Sequence, residues 1–203
     1  MILVLKFLAA FLIGSIPFAK VAMLGTGIDI TKVGSKNPGF RNVTRYASWW
    51  RAGICLVGDL GKGYFALWLL GRGDISQIGL WGIGIASVMG HCWSPFLGFN
   101  GGKGVATTFG VWLRLEPLIA LVCLPLYPAL RFIGSKLKFK QEGAIASLST
   151  ATAITALVMA LRGMEPGALA SVMLIIVLIR HSQNLGELIG AKAPQKAQET
   201  HKN

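Results

Sequence analysis

Charge is scarce in this sequence. Only 14% of its 203 residues are Asp, Glu, Lys or Arg, against about 25% in an ordinary soluble domain. Acids are the scarcer sign, eight against twenty bases. No polar stretch is long enough to fold alone, which excludes a soluble domain beside the apolar runs. Cysteine is rarer still. Cys55, Cys92 and Cys123 each stand singly in an apolar run, so neither a metal-ligand spacing nor a disulfide framework exists. They read as buried reduced thiols. No internal repeat, inverted or parallel, is visible.

What is there is apolar. Hydrophobic residues make up 53% of the chain and the mean hydropathy is +0.60. A bilayer core about 30 Å thick takes about 20 apolar residues in helix. Runs of that kind lie near 2–24, 49–70, 75–97, 104–115, 117–134, 143–161 and 166–181, the fourth of them short. The expectation is an all-α integral membrane protein of about seven transmembrane helices, a single polytopic domain over 1–203 with a loosely ordered tail from about 187. The first run is too long for the apolar core of a signal peptide and lacks a small-x-small cleavage site before a soluble chain, so it reads as a retained span. Gly82, Ala86 and Gly90 form a small-xxx-small ladder that lets helices approach closely.

The bases fall unevenly. Placed on seven spans, one side collects Lys32, Lys36, Arg41, Arg45 and Arg51, then Lys103, Arg131, Lys136, Lys138, Lys140 and Arg180, and finally Lys192, Lys196 and Lys202. The other side holds Arg72, Arg114 and Arg162, each near an acid: Asp74, Glu116 and Glu165. The positive-inside rule makes the first side cytoplasmic, the C-terminus with it, and puts the N-terminus outside. The longer polar loops are on that same side.

Three of these loops carry residues suited to phosphate. The first reads GSKNPGFRNVTR, 34–45. Its Ser35, Asn37, Gly39 and Asn42 bend the chain and leave backbone donors free. Arg41 and Arg45 can each bind a phosphate through two parallel N–H bonds, although a positive-inside arginine accounts for Arg41 equally well. Asn42-Val43-Thr44 also matches a glycosylation acceptor, which a cytoplasmic loop would leave unmodified. The second is FNGGKGVATTFG, 99–110. It fails the Walker A pattern at Leu97 and Gly104. Yet Gly101, Gly102 and Gly104 permit close backbone approach to a ligand, Lys103 adds a point charge, and a helix starting at Gly104 would aim its amides at the same spot.

The third is RHSQN, 180–184. Here Arg180, His181 and Asn184 cluster, and an imidazole can take a proton from an alcohol near neutral pH. Neither His91 nor His181 begins an H-x4-D pattern, since Phe96 and Gly186 stand where the Asp would be. Within the second span, Asp59 and Lys62 share a helix face, either as a structural ion pair or as the wall of a polar cavity. Ser147, Ser149 and Thr150 open the sixth span, as helix caps or as phosphate donors.

Taken in order, GSKNPGFRNVTR, DLGKG, GHCWSPFLGFNGGKGVATTFG and RHSQN resemble the bacterial acyl-phosphate:glycerol-3-phosphate acyltransferases, the PlsY type, over nearly the whole chain. Ser35, Asn37, Gly39, Asn42 and Arg45 match that family's first motif. Gly101, Gly102, Lys103 and Gly104 match its glycerol-phosphate motif, and His181 and Asn184 its last. Arg41 stands where the family commonly has Thr, Asn100 where it commonly has Lys, and Ala193 near the position of a Glu. The resemblance implies an enzyme of the bacterial inner membrane that transfers a fatty acyl chain from acyl phosphate to glycerol 3-phosphate, giving lysophosphatidic acid and phosphate, with its site facing the cytoplasm.

The candidate residues then divide by role. His181, Asn184, Ser35 and Arg45 are the catalytic candidates. Asn37, Gly39, Asn42, Gly101, Gly102, Lys103, Gly104, Ser147, Ser149 and Lys62 are the substrate-binding ones. Substrates and membrane lipid are the expected partners, with no cofactor, no metal, no nucleic acid and no obligate protein partner. The base is either His181 or a substrate phosphate oxygen. A small organic-phosphate transporter and a lipid-binding structural subunit are the rival readings. Crowding of the polar residues at one face argues against the first, and the glycine-lysine loop against the second.

Overall fold

The computed structural model describes residues 1–188 and 190. Lys192, Lys196, Lys202 and the Ala193 position lie outside the described residues. All the regular structure among the described residues is helical. Helices run over Ile2–Ser15 (α1), Phe18–Ala22 (α2), Phe40–Tyr46 (α3), Trp49–Leu70 (α4), Gln77–Cys92 (α5), Val105–Leu115 (α6), Pro117–Cys123 (α7), Leu126–Lys136 (α8), Glu142–Arg162 (α9), Met164–Arg180 (α10) and Ser182–Leu188 (α11), with a 3-10 turn at Pro95–Leu97. The tail expected to loosen from about 187 is still helical at Leu188.

Prolines and glycines set the breaks. Pro17 has no N–H to donate and disfavours helix at Ile16, so the first apolar run divides into α1 and α2. Pro125 divides the fifth run into α7 and α8. Pro117 sits at the first position of α7, where its missing donor costs nothing. Ser76 caps α5, its Oγ accepting from the Gly79 N–H at 3.2 Å.

The seven apolar runs differ in reach. Ile2–Ala22, Trp49–Leu70, Pro117–Lys136 and Glu142–Arg162 are long and apolar enough to cross a membrane, and α10 with α11 makes a fifth such stretch bent by 64°. The 16 residues of α5 and 11 of α6 rise only about 24 and 16 Å. The loop side chains sort into two ends of the bundle. At one end Arg41 pairs with Glu142 and Arg180 bonds the carbonyls of Gly101 and Gly102. At the other, Arg162 pairs with Glu116 at 2.8 Å and Lys6 bonds the Arg72 carbonyl at 2.8 Å.

Glycine faces bring the helices together. α1 packs on α5, α4 on α6, and α9 on α8 and α10. The expected ladder faces α1: a Cβ added at Gly90 would lie 2.0 Å from the Phe11 carbonyl oxygen, and one at Gly82 would lie 2.9 Å from the Phe7 ring. The α4–α6 contact is as close, since a Cβ at Gly110 would lie 2.0 Å from the Leu60 carbonyl oxygen and one at Gly63 2.3 Å from that of Thr107. Backbone here meets backbone, as small-residue interfaces in lipid require.

Gly110→Val should therefore force α4 and α6 apart, at an overpacking cost of about 1–3 kcal/mol. Thermal denaturation in detergent should show a lowered midpoint. Gly53→Ala, where an added Cβ meets nothing within 4 Å, should leave the midpoint in place. Equal midpoints for both variants would mean the helices are not packed this closely.

Candidate active site at one end of the bundle

A cleft of about 590 Å³ opens between α3, α4, α6, the α7–α8 corner and α9. Gly39, Arg41, Lys103, Gly104 and Ser147 bring polar groups to it. Further along α4, α6 and α9 the wall becomes apolar, with Leu56, Leu60, Phe109, Trp112 and Ile154. A polar mouth thus joins an apolar body.

The glycine-lysine loop is built differently from the expected amide cradle. The Gly101 N–H donates to the Cys92 carbonyl and the Gly102 N–H to the His91 carbonyl, each at 3.1 Å. Their own carbonyls accept from Arg180, Nη2 to Gly101 at 2.8 Å and Nε to Gly102 at 3.1 Å. Both faces of these peptides are therefore occupied by protein. The positions are glycine because the loop lies directly on the end of α5. A Cβ at Gly101 would meet the His91 carbonyl oxygen at 2.0 Å, and one at Gly102 would meet His91 Nε2 at 2.1 Å. Gly104 takes φ +82°, and an added Cβ would lie 2.9 Å from Cys92 Sγ. It is the N-cap of α6, so the N–H groups of Val105, Ala106 and Thr107 have no acceptor within the helix.

Lys103 projects into the cleft and donates to Asn184 Oδ1. The Asn184 amide in turn donates to Gln141 Oε1 at 2.6 Å. Burial, and then the nearby Arg41 guanidinium, bring the Lys103 pKa down to about 8. His181 is buried, and its Nδ1–H donates to the Val177 carbonyl at 2.8 Å. That bond fixes the tautomer and leaves the lone pair on Nε2. His181 and Asn184 do not line the cleft; Lys103 stands between Asn184 and it.

In the first loop Gly39 reaches the cleft while Ser35 and Arg45 are exposed away from it and Asn37 is half-buried. Asn42 is buried and acts as a brace. Its Nδ2 donates to the carbonyls of Ile30 and Val33, both at 3.0 Å, and its Oδ1 accepts from the Ser35 N–H at 3.2 Å. One turn before Arg45, it is Arg41 that faces the cleft. On α9 Ser147 lines the cleft with its hydroxyl donating to the Gly143 carbonyl at 2.7 Å. Ser149 lies on the exposed face, and Thr150 takes the cleft-facing place.

Lys62 does not reach the cleft. Its ammonium lies 2.9 Å from the Asp59 carboxylate and donates to the Ile16 carbonyl at 3.0 Å, with 2% of its side chain exposed. His91 Nδ1 sits 3.5 Å from the same Asp59 oxygen. Of the two readings of Asp59 and Lys62, the ion pair is what forms. Asp59 still touches the cleft, and His91 links the pair to the glycine loop. From the sequence alone neither His91 nor Arg180 has a place among the site candidates. No spacing around His91 announces its role; only the fold sets its ring under Gly102. Arg180 reads only as the basic neighbour of His181 and Asn184, because a grip on two carbonyls 78 and 79 residues away leaves no local pattern.

Known proteins match the chain over most of its length. The family model described as "Glycerol-3-phosphate acyltransferase" matches residues 4–191. A glycerol-3-phosphate acyltransferase of Laribacter hongkongensis is 36% identical over 193 residues, covering 89% of each chain. One of Helicobacter pylori is 35% identical over 202 residues, covering 91% of this chain and 90% of its own. A crystal structure of PlsY (YgiH), an integral membrane glycerol 3-phosphate acyltransferase in its glycerol 3-phosphate form, superposes with a TM-score of 0.79 at 30% identity, covering 94% of both chains.

The buried pair makes a stability prediction. Lys62→Met should strand the Asp59 carboxylate and cost about 3–5 kcal/mol, read as a large drop in the thermal midpoint in detergent. Adding Asp59→Asn should recover part of the loss. A double variant no better than the single one would show that the two charges are not coupled.

Proposed function

The chain belongs to the PlsY family of membrane glycerol-3-phosphate acyltransferases, and from that premise we propose that it moves a fatty acyl group from acyl phosphate to the sn-1 hydroxyl of glycerol 3-phosphate. The products are lysophosphatidic acid and phosphate. The setting is the bacterial inner membrane, with the cleft open to the cytoplasm, where the basic loops belong by the positive-inside rule. The observation that carries this reading is the junction of a lysine-bearing mouth with an apolar body in one cleft. A phosphate is held where water reaches, and a fatty chain lies where lipid reaches.

The chemistry asks little of the protein beyond placement. Acyl phosphate is already activated, so no acyl-enzyme is needed. The glycerol oxygen attacks the acyl carbon, the carbon–oxygen bond to phosphate breaks, and phosphate leaves. The hydroxyl proton passes to an oxygen of the donor's phosphate. Lys103 anchors the phosphate of glycerol 3-phosphate, and Asn184 holds the ammonium in position. The free amides of the first turn of α6 add donors beside it. His181 positions the turn that carries Arg180 and Asn184 through its bond to Val177. Alignment of two bound reactants and stabilised charge supply the acceleration.

Purified protein given hexadecanoyl phosphate and labelled glycerol 3-phosphate should form labelled lysophosphatidic acid and release phosphate. Product from an acyl thioester alone would overturn the donor assignment. Uptake of label into vesicles without acylation would favour a transporter.

Two variants test the roles. His181→Asn keeps an N–H for the Val177 carbonyl and removes the basic nitrogen. It should retain much of the turnover that His181→Ala loses; equal loss in both would make His181 the base. For Lys103 the sign follows from its lowered pKa. The ammonium is present below about pH 8 and lost above it. The KM for glycerol 3-phosphate should be level below that pH and rise toward about tenfold per unit above it. Lys103→Arg should keep it level, because guanidinium stays charged.

A further inference from the structure

The proposed reaction brings two phosphates into one cleft, and Lys103 accounts for one. The second cation at the mouth is Arg41. It is set there by construction. Arg41 Nη2 donates to Glu142 Oε1 at 2.7 Å, across 101 residues of chain. Arg131 Nε lies 4.0 Å from the same carboxylate oxygen, so Glu142 keeps a counter-charge whatever Arg41 engages. Gly143 makes the seat: a Cβ there would lie 1.9 Å from Arg41 Nη1 and 2.4 Å from Cζ. With Nη2 held by Glu142, the remaining N–H groups of the guanidinium are available to a ligand. A fork of this kind matches phosphate.

We propose that Arg41, seated against Gly143 and oriented by Glu142, is a second phosphate-binding residue of the cleft, so that Arg41 and Lys103 each take the phosphoryl group of a different substrate. This rests on the proposed acyl transfer. It separates the two anions by giving each its own cation, which limits their mutual repulsion as the reacting carbon and oxygen come together. Arg45, one turn along α3, has no such seat and is exposed.

The test is a crossed measurement of KM for acyl phosphate and for glycerol 3-phosphate. Arg41→Gln should raise the KM for acyl phosphate about tenfold or more, and Lys103→Ala should raise that for glycerol 3-phosphate. Both variants acting on the same KM, or Arg41→Gln moving neither, would overturn the proposal. Gly143→Ala pushes the guanidinium from its seat and leaves its charge in place. It should raise the same KM as Arg41→Gln, whereas an unchanged KM would overturn the seat. Lys36→Gln, at an exposed base of the same loop, should change neither value.

Calorimetry with inorganic phosphate in detergent provides a readout that needs no turnover. Arg41→Gln and Lys103→Ala should each weaken phosphate binding by about tenfold or more, and undiminished binding in Arg41→Gln would overturn the proposal. If wild-type protein binds phosphate in this way but makes no lysophosphatidic acid, the acyl-transfer reading fails and the phosphate site stands.

Discussion

A lysine and an aspartate buried among apolar helices must satisfy each other, and the loop architecture rests on how they do so. Lys62 holds Asp59 and the Ile16 carbonyl. The latter lies at the break where Pro17 ends α1. Asp59 in turn approaches His91, whose ring lies directly under Gly102. A single charge group therefore ties the broken first helix, α4, the end of α5 and the glycine loop together. Each member alone would be costly in that setting. Arg180 completes the fixture from the other side by holding the carbonyls of the loop.

Glycine serves two distinct purposes in this chain. Along the helices it permits backbone contact, as at Gly90 and Gly110. In the loop it permits contact with the end of α5, which fixes where Lys103 emerges. The amides of Gly101 and Gly102 are consumed by that packing. In the proposed reaction, anion binding falls instead to charged side chains and to the first turn of α6. A loop pattern that suggests a phosphate cradle can thus act mainly as a rigid mount for one lysine.

The apolar architecture was legible because hydropathy and length depend on local composition. The run expected at 49–70 is α4 residue for residue. The breaks at Pro17 and Pro125 were missed because apolar composition continues across them. Arg41 and Arg45 are one turn apart with the same side chain, and only the placement of α3 against α9 sets one at the cleft and the other outside it. Lys62 stands among the substrate candidates because its spacing from Asp59 fits a cavity wall as well as an ion pair, and its bond to Ile16, 46 residues away, leaves no local signal. Ser147 and Ser149 looked alike for the same reason: which hydroxyl faces inward depends on how α9 packs.

The sulfur of Cys92 lies beneath the loop, where a Cβ on Gly104 would crowd it. The thiol is buried while the loop is seated. An alkylating reagent can reach it only when the packing around it opens. Its labelling rate would then count openings of this end of the bundle, and the cysteine becomes a clock for the packing on which the lysine mount sits.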